Sequence, residues 1–128
     1  MPEVTAIEYI KMYAAFYPTF RDDICKACVE SFEINLSDRL SKMSQGQRKK
    51  VAITLALAAH TPLLLMDEPT NGLDIPSKAT FRRLVASLID DNQTVIISTH
   101  QVRALASLLA TVLILDQRKI LLNKTLNE

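Results

Sequence analysis

Glycine is almost missing from this chain: 128 residues contain two, Gly46 and Gly72. A phosphate-cradling loop of the form GxxxxGK[ST] needs two glycines five positions apart, because its backbone must approach the phosphates closely. Gly46 and Gly72 stand much further apart than that, so these residues contain no such loop. Tryptophan is absent and aromatic residues make up 5%, against 48% hydrophobic residues overall, so the core must be aliphatic. Cysteine is limited to Cys25 and Cys28. One such pair cannot complete a four-ligand zinc site without other ligands nearby. The pair sits inside a helical pattern rather than after a strand, and two reduced thiols on a helix are expected. Neither sign of charge dominates: the net charge is +1, which argues against a general polyanion binder. Long apolar runs are lacking too. The longest, 104–115, is interrupted by Ser107 and Thr111 and is shorter than the roughly 20 residues that span a bilayer. The start of the chain shows no basic-then-apolar leader. A soluble, cytosolic chain of one domain's length is expected.

What is present is organised around Leu63-Leu64-Leu65-Met66-Asp67-Glu68-Pro69-Thr70-Asn71-Gly72-Leu73-Asp74. Four apolar residues read as a short buried strand. Two adjacent carboxylates follow where α/β sheets bind ligands, at a strand's carboxyl end. Two acids there can hold a magnesium ion and orient a water. The bland alternative is a strand followed by a capped helix with solvated acids.

Upstream, Thr5 reads as the cap of a helix reaching about residue 16, with Glu8 three positions later. Tyr17-Pro18-Thr19 breaks it. A second helix is expected over 21–32, with Asp22 and Asp23 in the first turn, where the helix dipole favours anions. A connector with a turn at Ser37-Asp38-Arg39 leads to Met43-Ser44-Gln45-Gly46-Gln47 and a helix over 45–59, apolar almost all round after its basic start, hence buried between layers. Downstream, Asp74 caps a helix expected over 76–89, with proline in its first turn. Asp90-Asp91-Asn92 turns the chain into a second strand at 94–98. A short helix at 102–109, a strand at 112–115 and a hairpin partner at 120–122 complete the pattern. The first 42 residues are helical and the rest alternates strand and helix.

Two further stretches carry chemistry. Ser44 is a good N-cap, Gly46 allows a phosphate close to the backbone, and the start of a long helix offers free N–H groups and the positive end of its dipole. Arg48, Lys49 and Lys50 read as a solvated basic face, with Arg48 placed to help attract phosphate. Ser98-Thr99-His100 puts an imidazole at the end of the second strand, where it can donate a hydrogen bond to a phosphate. His60, at a helix C-terminus, is read as a dipole contact only.

Together these stretches resemble the ATP-binding cassette (ABC) ATPases. Residues 63–68 resemble the Walker B motif, Asn71-Gly72-Leu73-Asp74 the D-loop, Met43-Ser44-Gln45-Gly46-Gln47 the signature motif, with Gln45 where glycine is usual, and His100 the switch histidine. The resemblance implies an α/β, P-loop NTPase-like fold: a helical subdomain at 1–42, then the ATPase core at 43–128 with a partial, mostly parallel sheet. It implies ATP and Mg2+ as cofactors. Asp67 would hold the metal through water, Glu68 would be the general base and His100 would contact the γ-phosphate. Ser44, Gln45, Gly46 and Gln47 would close over ATP bound by a second subunit, and Asp74 would contact that subunit's Walker A loop. The Walker A lysine and the Q-loop glutamine have no counterpart, so the resemblance is to the C-terminal part of such a subunit, unable alone to bind ATP tightly or hydrolyse it.

The implied partners are a second nucleotide-binding subunit and membrane permease subunits, with no nucleic acid. The location would be cytoplasmic, peripheral on the inner face of the membrane. The direction read from the sequence is export. In Tyr13-Ala14-Ala15-Phe16-Tyr17-Pro18-Thr19-Phe20, the aromatics are either a permease contact or a cluster packed in the helical subdomain. The alternative class is an ABC protein acting on nucleic acid or the ribosome. Translation-type members usually carry histidine at the place of Gly72, and DNA-repair members often carry glutamate at the place of Gln47. In the family a Walker A strand lies beside the strand that ends in the switch histidine. Without it, the edge of 94–98 is either closed over or left open. An open edge with Val95 and Ile97 exposed would drive self-association.

Overall fold

The computed structural model describes residues 3–99, 111–116 and 119–125. Its elements follow the order α1 (Ala6–Ala14), α2 (Asp22–Phe32), a 3-10 turn (Leu40–Lys42), α3 (Gln45–Ala59), β1 (Leu63–Asp67), α4 (Ile75–Leu88), β2 (Thr94–Thr99), β3 (Thr111–Asp116) and β4 (Lys119–Thr125). The α/β class and the alternation after residue 42 agree with the sequence reading. The helix expected at 102–109 lies outside the described residues.

Local chemistry sets the helix ends. Thr5 and Glu8 form a reciprocal capping box at α1, and Ser44 and Gln47 form another at α3. Asp74 caps α4 by accepting the Ser77 N–H at 2.9 Å. α3 ends on His60 in the left-handed region, at φ 53. The His60 Nε2 lies 2.8 Å from an Asp90 carboxylate oxygen, which ties this end to the turn before β2. Gln93 strengthens the same junction, its side-chain amide donating to the Thr61 carbonyl at 3.0 Å.

α3 is the central element. Its residues Val51, Ile53, Thr54, Leu55, Leu57, Ala58 and Ala59 are all buried. Val51 and Leu55 line a cleft shared with Tyr9 and Tyr13 of α1, whereas Ile53 and Ala56 line a groove shared with Met66 and Asp67 of β1. The apolar-all-round pattern therefore has its expected cause: this helix lies between α1 and β1. Cys25 and Cys28 are free and buried in the same core as α3. Burial, before any charge effect, pushes both thiols up, that of Cys28 to about 12. At neutral pH they are protonated and act as small apolar groups.

The sheet order is β1-β2-β4-β3. β1 and β2 are parallel, and β4 pairs antiparallel with both β2 and β3, so β1, β2 and β3 run one way with β4 inserted against them. One open alternative is decided and one expectation corrected here. The edge of β2 is not open, because β4 pairs with it from Thr94↔Thr125 to Thr99↔Ile120. Val95 and Ile97 are not exposed either: both are fully buried, with Leu64 and Met66, on the face turned to the core. The uncovered face belongs to the alternate residues. Leu63 is 51% and Leu65 66% exposed, so β1 is buried on one side only. Strand periodicity makes the difference, since a four-residue apolar run does not say which face has cover.

Candidate nucleotide site

The acid pair stands at the carboxyl end of β1, as the strand pattern requires. Asp67 is exposed and Glu68 half-buried. Glu68 adopts φ 47, one of three non-glycine residues in the left-handed region among the described residues. Its N–H donates to the Ser98 carbonyl of β2 at 2.6 Å, which clamps the bend between the two parallel strands. Such a conformation costs on the order of 1–3 kcal/mol and persists only where surrounding contacts impose it. The chain then makes two successive turns: the Asn71 N–H donates to the Glu68 carbonyl at 3.2 Å and the Leu73 N–H to the Thr70 carbonyl at 3.1 Å. Pro69, Thr70 and Leu73 are buried and pin this loop, while Asn71 and Gly72 stay exposed, Gly72 with φ +88.

The capped start of α3 lies against that loop: a Cβ added to Gly46 would sit 3.2 Å from the Gly72 carbonyl oxygen. At this end the capping box uses the Gln47 N–H, donated to Ser44 Oγ at 3.1 Å, and the Ser44 N–H, donated to Gln47 Oε1 at 2.9 Å. The N–H groups of Gln45 and Gly46 have no partner among the described residues, as befits a helix's first turn. The Ser44 hydroxyl proton and the Gln47 side-chain amide also stay available as donors. Arg48 is less free than a solvated face suggests, since it donates to the Leu40 carbonyl at 3.2 Å. Lys49 is half-buried and lines the groove of about 160 Å³ that contains Asp67. The sequence reading put Lys49 on a solvated face and passed over the Ser98 carbonyl and Thr70. A lysine at the second turn of α3 and a threonine after proline carry no local signal, and Lys49 and the Ser98 carbonyl matter through β1 and Glu68, which are distant from them in sequence. His100 lies outside the described residues.

Asp74 is committed to its helix. Hydrogen bonds from Ser77, first of all, and then the charge of Lys50 hold its carboxyl below the ordinary 3.8. Glu8, bonded to Thr5, is likewise held below its ordinary 4.5. Both folded values lie under the unfolded ones, so both groups contribute stability that is present above those ordinary values and lost as pH falls through the folded ones. We expect the midpoint of thermal unfolding to fall as pH drops below about 4.5. Asp74→Asn, which keeps a good cap but cannot titrate, should flatten part of that fall; an unaltered pH profile would refute Asp74 as a contributor.

Comparisons with known proteins bear on the family and the fold. A family model described as an AAA domain of AbiEii-type toxins and type IV toxin–antitoxin systems matches residues 32–106. The ABC transporter ATP-binding protein NatA of Bacillus subtilis is 30% identical over 124 residues, covering 92% of this chain and 50% of NatA. The chain belongs to the ABC ATPases. The ABC-type transmembrane transporter verA of Clonostachys rogersoniana is 40% identical over 91 residues, 71% of this chain and 7% of that protein. A bacterial ABC transporter cassette solved as a dimer superimposes with a TM-score of 0.68 at 26% identity, covering 83% of this chain and 50% of the cassette. The chain thus spans half the length of NatA and a small part of verA.

For an ABC ATPase the donor set is chemically apt. Two carboxylates at one strand end suit a hard divalent cation that keeps much of its water shell. No cluster of three His, Cys, Asp or Glu residues able to hold a metal occurs among the described residues. The unpartnered N–H groups at the start of α3 suit a phosphate. Among the described residues no helix is long and apolar enough to cross a membrane.

Proposed function

We propose that this chain is part of the ATP-hydrolysing subunit of an ABC transporter working as an exporter. The observation that carries the reading is the placing of two chemistries side by side: the capped, amide-rich start of α3 touches the loop that leaves the acid pair of β1. Asp67 would hold Mg2+, and the ion would supply charge neutralisation on the phosphates. Glu68 takes the proton of the attacking water. Phosphoryl transfer depends mainly on positioning and charge stabilisation, which is what a clamped carboxylate beside oriented amides provides. His100 completes the set by donating to the γ-phosphate. Ser44, Gln45, Gly46 and Gln47 face ATP held by a second subunit, and Asp74, besides capping α4, meets that subunit's phosphate loop. These 128 residues, which lack a GxxxxGK[ST] loop, neither bind ATP tightly nor hydrolyse it alone.

The subunit acts in the cytoplasm, held to the inner face of the membrane through permease subunits. Two features of α1 support a permease contact. Phe16 is 80% exposed at its end, and Tyr9 and Tyr13 line an apolar cleft of about 350 Å³ with Val51 and Leu55 of α3. Tyr17 and Phe20 serve the fold, Tyr17 by supporting the Tyr13 ring. Tyr13 and Tyr17 stack at 4.8 Å, and Phe20 packs against the core. A transporter reading also suits Gly72, whose φ of +88 is strained for any side chain, histidine included.

Ser44→Ala in the complete subunit tests the proposal. It removes a cap, costing about 0.5–2 kcal/mol of stability, and it should also weaken ATP-dependent pairing of two subunits, followed by light scattering at several concentrations. Lost stability with unchanged pairing would leave Ser44 a cap only and overturn its role at the nucleotide.

A further inference from the structure

We propose that Gly46 and Gly72 form a backbone seam that fixes the first turn of α3 to the loop carrying Glu68, and that Gly46 is a positioning residue whose missing side chain is required by this chain's own loop. The roles of Ser44 and Glu68 are taken from the proposed function; the seam itself stands on geometry.

The sequence suggests one reason for glycine at 46, the close approach of a phosphate. The structure supplies another that needs no nucleotide. A Cβ at 46 would lie 3.2 Å from the Gly72 carbonyl oxygen and 3.9 Å from Ser44 Oγ. The nearer atom is backbone, so it cannot swing aside as a long side chain would. The loop bearing it is held on both sides, by the turns that close on Glu68 and Thr70 and by the Asp74 cap of α4. Buried Thr70 and Leu73 leave that loop little room to retreat. The two glycines are needed for different reasons. A Cβ on Gly72 would meet nothing within 4 Å, but its φ of +88 suits glycine alone; Gly46 is helical and is limited by space. The start of α3 and the 68–74 loop therefore move as one body, and the distance between the Ser44 cap and the Glu68 carboxylate is set within a single chain.

Amide hydrogen exchange followed by NMR on this nucleotide-free chain tests the seam independently of any ATP reading. Gly46→Ala should lower protection of the Asn71 and Leu73 amides about tenfold, as overpacking by one methyl does. Gln45→Ala, exposed on the same turn, should change it by less than about twofold. Gly72→Ala should in return loosen the Arg48 amide, which bonds to the Ser44 carbonyl at 3.0 Å. If Gly46→Ala disturbs residues 44–48 but leaves 71–74 as Gln45→Ala does, the seam is wrong. Should the alanine variants not fold, native-state exchange of the unaltered chain decides. The Arg48 and Leu73 amides must then open together, with one denaturant dependence, and separate openings would overturn the proposal. In the complete ATPase the seam requires Gly46→Ala to lower kcat at saturating ATP. A raised KM with kcat intact would assign Gly46 to nucleotide contact alone.

Discussion

Glu68→Gln in the complete ATPase will keep ATP binding and lower hydrolysis by about a hundredfold or more. The amide matches the carboxylate in shape, so the left-handed bend at φ 47 and the N–H bond to the Ser98 carbonyl are retained. What is lost is the base. Single-turnover measurement at saturating Mg-ATP separates this from a binding defect, because a variant that binds normally and hydrolyses slowly has lost a transition-state interaction only. Hydrolysis at the unaltered rate would show that Glu68 is not the base. The position is suited to that role for a reason visible in the backbone. A non-glycine residue in the left-handed region is held there by its surroundings, and such strain collects where a side chain must be aimed.

Phe81→Ala will produce the largest loss of stability of any single truncation proposed here, about 3–5 kcal/mol. Phe81 is a large, fully buried side chain of α4, with 0% of its surface exposed, in the same core as Val85, Leu57, Val95 and Ile97. Its removal leaves a cavity in that close-packed core, which cannot collapse completely to fill it. The whole stability of a domain this size is about 5–15 kcal/mol. The midpoint of thermal unfolding should therefore fall by on the order of 10 °C or more. Phe16→Ala is the matched control: that ring is 80% exposed, and its loss should shift stability by no more than about 0.5 kcal/mol. Equal effects of the two substitutions would contradict the core described here.

The ends of the helices were legible in the sequence because capping is local chemistry. Thr5 with Glu8 and Ser44 with Gln47 are each three residues apart, and the structure closes both boxes. The full span of α3 was legible for a related reason, since its apolar stretch has no polar face to leave in water. The candidate site was legible as residue types in order: a capped helix start, two acids after an apolar strand, a glycine turn. The tertiary structure alone decided the relations among them. β4 closes the edge of β2 through pairings more than twenty residues apart, which no local pattern encodes. Leu63 and Leu65 face outward while Leu64 and Met66 face the core, a choice made by which side of the sheet α3 and α4 cover. The approach of Gly46 to the Gly72 carbonyl follows from the packing of two segments that a strand and a helix separate in the chain. Short-range order is written in neighbouring residues, because its hydrogen bonds span three or four positions. The alignment of a helix start with an acid-bearing loop is set by how buried surfaces fit together, and that fit exists only once the chain has folded.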